Sequence, residues 1–271
     1  MEKYYQNLSC PDCKNSLVFL KGSFSCPACK KGYRLEEGIP VFLNDEQWEK
    51  WQKEDIVYNP YLQGGHFLSS TDFYAKYGRS WQKVADIGGG DGVNSAELAE
   101  EGKDVYVLNP GFLALQKLQK RGIPGLHPIC CEGENIPFAD EFFDGVLNIF
   151  VIEHLSDPFP ILKEIRRVLK KEGEAVIGTD NRFYDKYGKI IKTSLLHAFN
   201  KNIPIHSPNK THINLMMPKD LRSILKKANF EITKEEILRP QYLDPVWGSI
   251  PKGLREEFMS GMFIFTCKPI K

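Results

Sequence analysis

Val84-Ala85-Asp86-Ile87-Gly88-Gly89-Gly90-Asp91-Gly92 is an apolar run that breaks into glycines, and Val93-Asn94-Ser95-Ala96-Glu97-Leu98-Ala99-Glu100-Glu101 follows it as a helix pattern stopped by Gly102. Val84, Ala85 and Ile87 suit a buried parallel strand. Glycines at 88, 90 and 92 let the backbone turn sharply and approach a ligand with no Cβ in the way. The unit reads as strand, ligand loop and helix start, with the first helical N–H groups facing the same crevice. Its spacing excludes two ligand classes. A dinucleotide fingerprint needs glycine where Val93 stands, and a phosphate loop needs Gly-Lys-Ser/Thr after the turn.

The chain supports this reading further on. A second strand, Asp104 to Leu108, ends at Asn109-Pro110-Gly111, where an open α/β sheet places the residue that reads ribose hydroxyls. Asn109 can donate to and accept from a diol but lacks a carboxylate's charge. The run Cys131-Glu132-Gly133-Glu134-Asn135-Ile136-Pro137-Phe138 follows, then Leu147-Asn148-Ile149-Phe150-Val151-Ile152-Glu153-His154-Leu155. Apolar residues at helical spacing from Ile161 to Gly173 precede the strand Glu174 to Thr179.

With Asp-x-Gly-x-Gly-x-Gly at its head, this series resembles the class I S-adenosylmethionine (SAM) dependent methyltransferases, in their UbiE/UbiG-like, type 11 branch. The resemblance spans about residues 80 to 180, with a weaker return in the helix pattern Pro218 to Phe230. It implies an α/β, Rossmann-like, seven-stranded methyltransferase sheet with SAM as cofactor. By that match Gly88, Gly90 and Gly92 pass beside the methionine part, and Asp86 orders the loop or reaches the cofactor amine. Asn109 meets the ribose, and Glu132 accepts from the adenine amino group with the Gly133 backbone nearby. Glu231 to Thr233 and Met262 to Cys267 are expected as an antiparallel hairpin closing the sheet.

Ahead of the glycine loop, Cys10-Pro11-Asp12-Cys13 and Cys26-Pro27-Ala28-Cys29 form two C-x₂-C knuckles. This spacing brings four thiolates around one Zn²⁺, and with no ligand position left open the metal is structural. Short strand patterns follow at Ser16 to Leu20, Gly32 to Leu35 and Glu37 to Leu43. Cysteines and strands together resemble the Trm112-like zinc ribbon, a family that activates methyltransferases and also occurs fused to them. The expected organisation is a ribbon over 1–44, an aromatic helical connector or lid over 45–80, and a methyltransferase domain over 81–271. A substrate cover is expected at about 181–217. In the connector, Tyr74 and Tyr77 are the lid candidates and Gly64-Gly65 is the hinge.

Thirty-six basic against 35 acidic residues give a formal +1, so bulk charge does not hold this chain to nucleic acid. No apolar run approaches the roughly 20 residues of a membrane span, and the N-terminus lacks an apolar signal core, which makes a reducing, cytoplasmic setting the expectation. Within the cover, Arg182, Lys186, Lys189, Lys192, Lys201 and Lys210 face one acid, Asp185. That excess fits an anionic acceptor: a phosphorylated small molecule, a lipid head group or RNA. His197, His206 and His212 lie at a spacing that forms no metal pattern, and Cys130, Cys131 and Cys267 are expected as buried apolar side chains.

SAM carries an already activated methyl, so the protein's main task is to align a nucleophile and exclude water. His154, just past the fourth strand, and Asn148 at its end are the candidate catalytic groups. A second reading, a non-catalytic adaptor that keeps the fold, is suggested by Asn109, Gly89 and Asn229, positions at which the family carries other residues.

Overall fold

In a computed structural model of the chain, residues 3–62, 73–183, 212–238, 251–258 and 260–270 are described, with the single positions 194 and 249. The chain divides into two compact units, residues 1–148 with 160–175 and 271, and residues 149–159 with 176–270.

The first unit begins with four short strands, β1 (Val18–Leu20), β2 (Ser23–Ser25), β3 (Gly32–Glu36) and β4 (Ile39–Val41). Two helices follow, α1 (Asp45–Leu62) and α2 (Phe73–Gly78). Then come β5 (Lys83–Ile87), α3 (Ala96–Glu100), β6 (Asp104–Asn109), α4 (Phe112–Arg121) and β7 (Leu126–Cys130). The chain continues through β8 (Phe143–Ile149), α5 (Phe159–Val168) and β9 (Leu169–Asp180), of which Ile149, Phe159 and the end of β9 from Val176 belong to the second unit. In the first unit the strand order is β1-β2-β3-β4-β7-β6-β5-β8, antiparallel through the first four and parallel from β4 to β8.

Parallel pairing explains why the loop opens where it does. Val84, Ala85 and Ile87 are buried to within 1% and lie in register with Val105, Tyr106 and Leu108. β6 is in turn aligned with β7, Asn109 facing Cys130. Three neighbouring strands therefore end at one edge, the position at which open α/β sheets bind ligands. Tyr106, Phe138, Phe142 and Phe143 pack edge-to-face and stacked at the other side of β6, with centroids 4.8 to 5.8 Å apart.

The four N-terminal strands do not stand apart from the sheet. Val41 bridges Cys130, Phe42 N–H donates to the Cys130 carbonyl at 2.8 Å, and Ser9 N–H donates to the Pro137 carbonyl at 2.9 Å. The Tyr4 ring stacks on His127 at 4.5 Å, and the Asn7 amide donates to the Tyr106 hydroxyl at 2.8 Å. Burial of Tyr4, Tyr5 and Leu8 contributes on the order of 1.5–3 kcal/mol each.

Two expected helices are shorter than their patterns. α3 begins at Ala96 because Gly92 N–H bonds the Gly89 carbonyl and Ala96 N–H bonds the Gly92 carbonyl, so Val93 to Ser95 are spent in the turn. α5 ends at Val168, and the expected helical Lys170-Lys171-Glu172 is strand. The backbone N–H groups of Glu141 and Phe142 capture the carbonyls of Arg167 and Val168, and Lys170 pairs with Asp144 at 2.6 Å, so tertiary pairing overrides helix propensity. β2 has no counterpart among the strands read from the sequence.

The second unit holds the end of β9, then α6 (Pro218–Lys227), β10 (Phe230–Leu238), α7 (Lys252–Phe258) and β11 (Met262–Pro269), with strand order β9-β11-β10. β10 and β11 form the expected antiparallel pair, with a register shift between Ile232 and Lys234. Leu221 and Leu225 of α6 are fully buried, as their spacing on one face requires. Among the described residues no helix is long and apolar enough to cross a membrane. The expected hinge Gly64-Gly65, most of the basic cover, His197 and His206 lie outside the described residues.

Tyr4→Ala removes a buried ring wedged against the sheet edge; we expect a loss of about 3 kcal/mol in urea-induced unfolding. Ribbon and sheet should still unfold in one transition.

Candidate functional site

The glycine loop leaves β5 in a left-handed path. Gly88, Gly90 and Gly92 have φ of 77°, 57° and 67°, values that a side chain would strain. Gly88 N–H donates to the Leu108 carbonyl at 2.7 Å, which fastens the loop to β6. A Cβ on Gly89 would lie 2.4 Å from Asp86 Oδ2, so the bare backbone at this position lets the carboxylate sit directly beneath the loop. Asp86 is 1% exposed and its Oδ2 has no hydrogen-bond partner. Burial drives its pKa up to about 7, and the Ser95 hydroxyl offsets this only in part.

Asn109 ends β6, and its Nδ2 donates to the Gly111 carbonyl at 3.0 Å, which orients the side chain at the strand end. Glu132 follows β7, and both its oxygens are engaged by α1. Gln47 Nε2 donates to Oε2 at 2.6 Å and Trp51 Nε1 donates to Oε1 at 2.9 Å. These donors lie four residues apart on one helix face. Gln47 is itself fixed by a capping box: its Oε1 accepts from Asn44 N–H at 2.9 Å, and its own N–H bonds Asn44 Oδ1 at 2.8 Å. Trp48, on the neighbouring turn, lies between Arg34 at 4.7 Å and Phe112 at 5.1 Å.

Gly133 meets packing rather than open space, since a Cβ there would lie 2.4 Å from Ile161 Cδ1. Asn148 is fully buried, and its Nδ2 donates to the Ile87 carbonyl at 3.1 Å, pinning the end of β5 from β8. Tyr74 is buried, and burial followed by the Asp86 charge pushes its pKa well up. The structure thus brings Asp86, the three glycines, Asn109 and Glu132 to one strand edge. Gln47 and Trp51 were not singled out as site residues: the sequence shows them only as part of an aromatic-rich connector.

The residues fit a SAM-type ligand on three counts. Asp86 has a buried oxygen without a partner, beside the loop. The loop backbone is unobstructed by side chains of its own. Glu132, with about four lone-pair directions and two donors, retains acceptor capacity.

The two cysteine knuckles are built alike. Cys10 N–H bonds the Asn15 carbonyl and Lys14 N–H bonds the Cys10 carbonyl; Cys26 and Lys30 repeat this with Lys31 and Cys26, and both lysines are left-handed, at φ 61° and 64°. The four sulfurs lie within 4.8 Å of one another, with Cys10–Cys29 at 3.6 Å and Cys13–Cys26 at 3.4 Å. Tetrahedral zinc with Zn–S near 2.3 Å requires sulfurs about 3.8 Å apart. Asn15, through backbone and side chain, draws the Cys13 thiol down to about 6, while, against the backbone bond at Lys31, burial and the neighbouring Cys26, Cys10 and Cys13 push Cys29 up to about 12. Cys130, Cys131 and Cys267 are buried, as expected.

In the second unit, Glu153 and His154 occupy a 3₁₀ turn, Ile152–His154, after β8. His154 lies edge-on to His212 with centroids 4.9 Å apart. Glu153 is 0% exposed; Thr179 Oγ1 donates to its Oε2 at 3.0 Å, while Oε1 has no partner. Burial, with the Asp180 charge adding to it, raises Glu153 to about 7 despite its backbone bond, His212 and Thr179. His212, whose sequence spacing suggested no metal pattern, therefore does join a cluster of ligand-type side chains.

Residues 85–177 match the family model described as a methyltransferase domain. Among curated relatives, the chain is 36% identical over 150 residues to the demethylmenaquinone methyltransferase of Corynebacterium urealyticum, covering 55% of this chain and 55% of that protein. The chain spans 38–55% of the length of the first such relatives. A SAM-dependent methyltransferase structure from Archaeoglobus fulgidus superposes with a TM-score of 0.55 at 19% identity, over 79% of this chain and 98% of that one. A methyltransferase structure from Haloferax volcanii, solved in complex with the Trm112 activator, gives 0.51 at 15%, over 83% and 97%. At these identities the structures establish the fold.

Asp86 makes stability depend on pH in a predictable direction. Its folded pKa of about 7 lies above the ordinary 3.8, so between those values the native state keeps a proton the unfolded chain has released. Stability should fall as pH rises from about 4 to 7, by on the order of a few kcal/mol. Asp86→Asn should flatten that slope, read from unfolding free energies at pH 5 and 7.5.

Proposed function

We propose that the chain is a SAM-dependent methyltransferase whose cofactor lies at the ends of β5, β6 and β7. The single observation that carries this reading is the left-handed glycine loop over a buried carboxylate with one oxygen unpartnered. Gly88, Gly90 and Gly92 would pass beside the methionine part and Asp86 would answer the cofactor amine. Asn109 would meet the ribose diol, and Glu132 the adenine amino group. SAM supplies an activated methyl, and the protein binds, orients and keeps water from it. Trp51 and Gln47 hold the Glu132 carboxylate in one orientation and would shield the adenine beside it, so within the connector α1 joins Tyr74 and Tyr77 as a part of the lid.

His154 and Asn148 stand as the candidates that meet the acceptor. Asn148 acts by pinning the strand end at Ile87, and His154 offers an imidazole. The acceptor is an anionic small molecule, a lipid head group or RNA, on the argument of the basic run from Arg182 to Lys210. That curated relatives are named for demethylmenaquinone favours the small, lipid-like end of this range.

The cysteine set is proposed to hold structural Zn²⁺ through Cys10, Cys13, Cys26 and Cys29, making residues 1–44 a Trm112-like ribbon, 45–80 a connector and 81–271 the methyltransferase part. The near-tetrahedral sulfur spacing supports it. A reducing, cytoplasmic setting accords with free thiols in such a cluster.

Two observations favour a second reading, a non-catalytic adaptor: Asn109 lacks a charge and Glu132 is already bonded. Thermal-shift titration separates the two. We expect S-adenosylhomocysteine at millimolar concentration to stabilise the chain, and Glu132→Gln to weaken that binding about tenfold, or 1.4 kcal/mol. No shift with either SAM or its product would leave the adaptor. Transfer of labelled methyl to cell RNA, protein or small-molecule fractions then identifies the acceptor. For the ribbon, Cys13→Ser and Cys26→Ser should each remove the zinc measured by elemental analysis; unchanged zinc rules the site out.

A further inference from the structure

Glu153, His154 and His212 each present one ligand atom, and these atoms lie within 4.8 Å of one another. They come from chain segments almost 60 residues apart that the backbone holds in place. Asn214 N–H donates to the Glu153 carbonyl at 2.9 Å, which fixes the His212 segment to the 3₁₀ turn, and Phe150 N–H donates to the Gly178 carbonyl at 2.9 Å, which fixes the turn to β9. Arg182 N–H bonds the Met216 carbonyl at 2.8 Å and so closes the same segment from its other end.

The chemistry of this cluster is not that of ordinary packing. A carboxylate fully shut off from solvent needs a counter-charge or a full set of hydrogen bonds. Thr179 donates to Glu153 Oε2, while Oε1 is buried without a hydrogen-bond partner. The two imidazoles lie edge-on to one another, and Asp180, 6% exposed, places Oδ2 3.9 Å from His212 Nδ1. At 3.9 Å this is a charge pairing and not a hydrogen bond; a short movement would let the carboxylate accept from the ring, as carboxylates behind metal-binding histidines do.

We propose that Glu153, His154 and His212 form a divalent transition-metal site, separate from the cysteine knuckles, with Asp180 positioning His212. Two imidazoles and one carboxylate suit Zn²⁺ or Fe²⁺ better than Ca²⁺ or Mg²⁺, which prefer all-oxygen sets. Three protein ligands leave a coordination position for water or for an oxygen of a bound molecule, the pattern of a reactive rather than a structural site. His154 is then a metal ligand and not a free base. The inference does not depend on the cofactor reading, because all of its residues belong to the second unit and are argued from their own geometry.

Cobalt titration of the full chain tests it. Thiolate-bound Co²⁺ gives a sulfur charge-transfer band in the near ultraviolet, whereas Co²⁺ on histidine and carboxylate gives visible ligand-field bands without it. We expect two equivalents, one of each signature. His212→Asn should abolish the histidine-type equivalent or weaken it more than about tenfold while the thiolate band stays. Glu153→Gln, which keeps shape and the Thr179 contact, should do the same with an unchanged melting temperature in metal-free buffer. Titration of the unmodified protein decides the matter even if a variant misfolds: absence of any equivalent beyond the thiolate set overturns the site. So does a histidine-type equivalent that persists at full affinity in both variants.

Discussion

The parallel pairing of β5 with β6 and of β6 with β7 is the constraint on which the rest of the first unit depends. Because Ile87 is level with Leu108, and Asn109 with Cys130, three loops begin at one height and their side chains must share one edge. A slip of one residue would turn Asp86 to the other face and put Ile87 in its place beneath the glycines. Asn148 guards against that slip, its amide holding the Ile87 carbonyl from the adjacent strand. The buried, unpartnered oxygen of Asp86 is the cost of this arrangement. Proteins tolerate such groups chiefly where a ligand completes them.

Much of this was legible in the sequence because it depends on local chemistry. Glycines that demand left-handed backbone, a β-rich run ending at Asn109 and two identically spaced cysteine pairs each announce their structure within a few residues. What remained hidden depends on distant partners. Lys170-Lys171-Glu172 reads as helix until residues 141 and 142 claim the carbonyls before it. Trp51 reads as one more connector aromatic until a helix started by the Asn44–Gln47 box aims it at Glu132, 81 residues away. His212 has no informative spacing at all, since its neighbours in space, Glu153 and His154, precede it by a long and largely polar stretch. Asn109 was read correctly as to place, but its bond to the Gly111 carbonyl could not be inferred from composition.

Charge in the first unit is concentrated in a network that links functional parts rather than decorating the surface. Glu164 accepts from both nitrogens of the Arg167 fork at 2.7 Å and from the Ile136 N–H at 2.9 Å. Burial opposes its ionisation, yet Arg167 and then Lys14 hold it below the usual carboxylate range. Arg167 also reaches the carbonyls of Ile136 and Phe138, so the loop that carries Glu132 is tied down at its far end by one guanidinium. Such a bidentate, half-buried pair is worth more than an exposed one, because its geometry is fixed before the charges meet.

Lys14 belongs to this network and also to the first cysteine knuckle, where its left-handed backbone closes the turn while its ammonium reaches Glu164 at 3.1 Å and Asn135 at 3.5 Å. The N-terminal strands are consequently not a cassette that can be exchanged at will. A graft lacking a lysine at that turn would leave Glu164 with Arg167 as its sole counter-ion among the described residues, and one lacking β4 would expose the ladder edge of β7 to any passing strand.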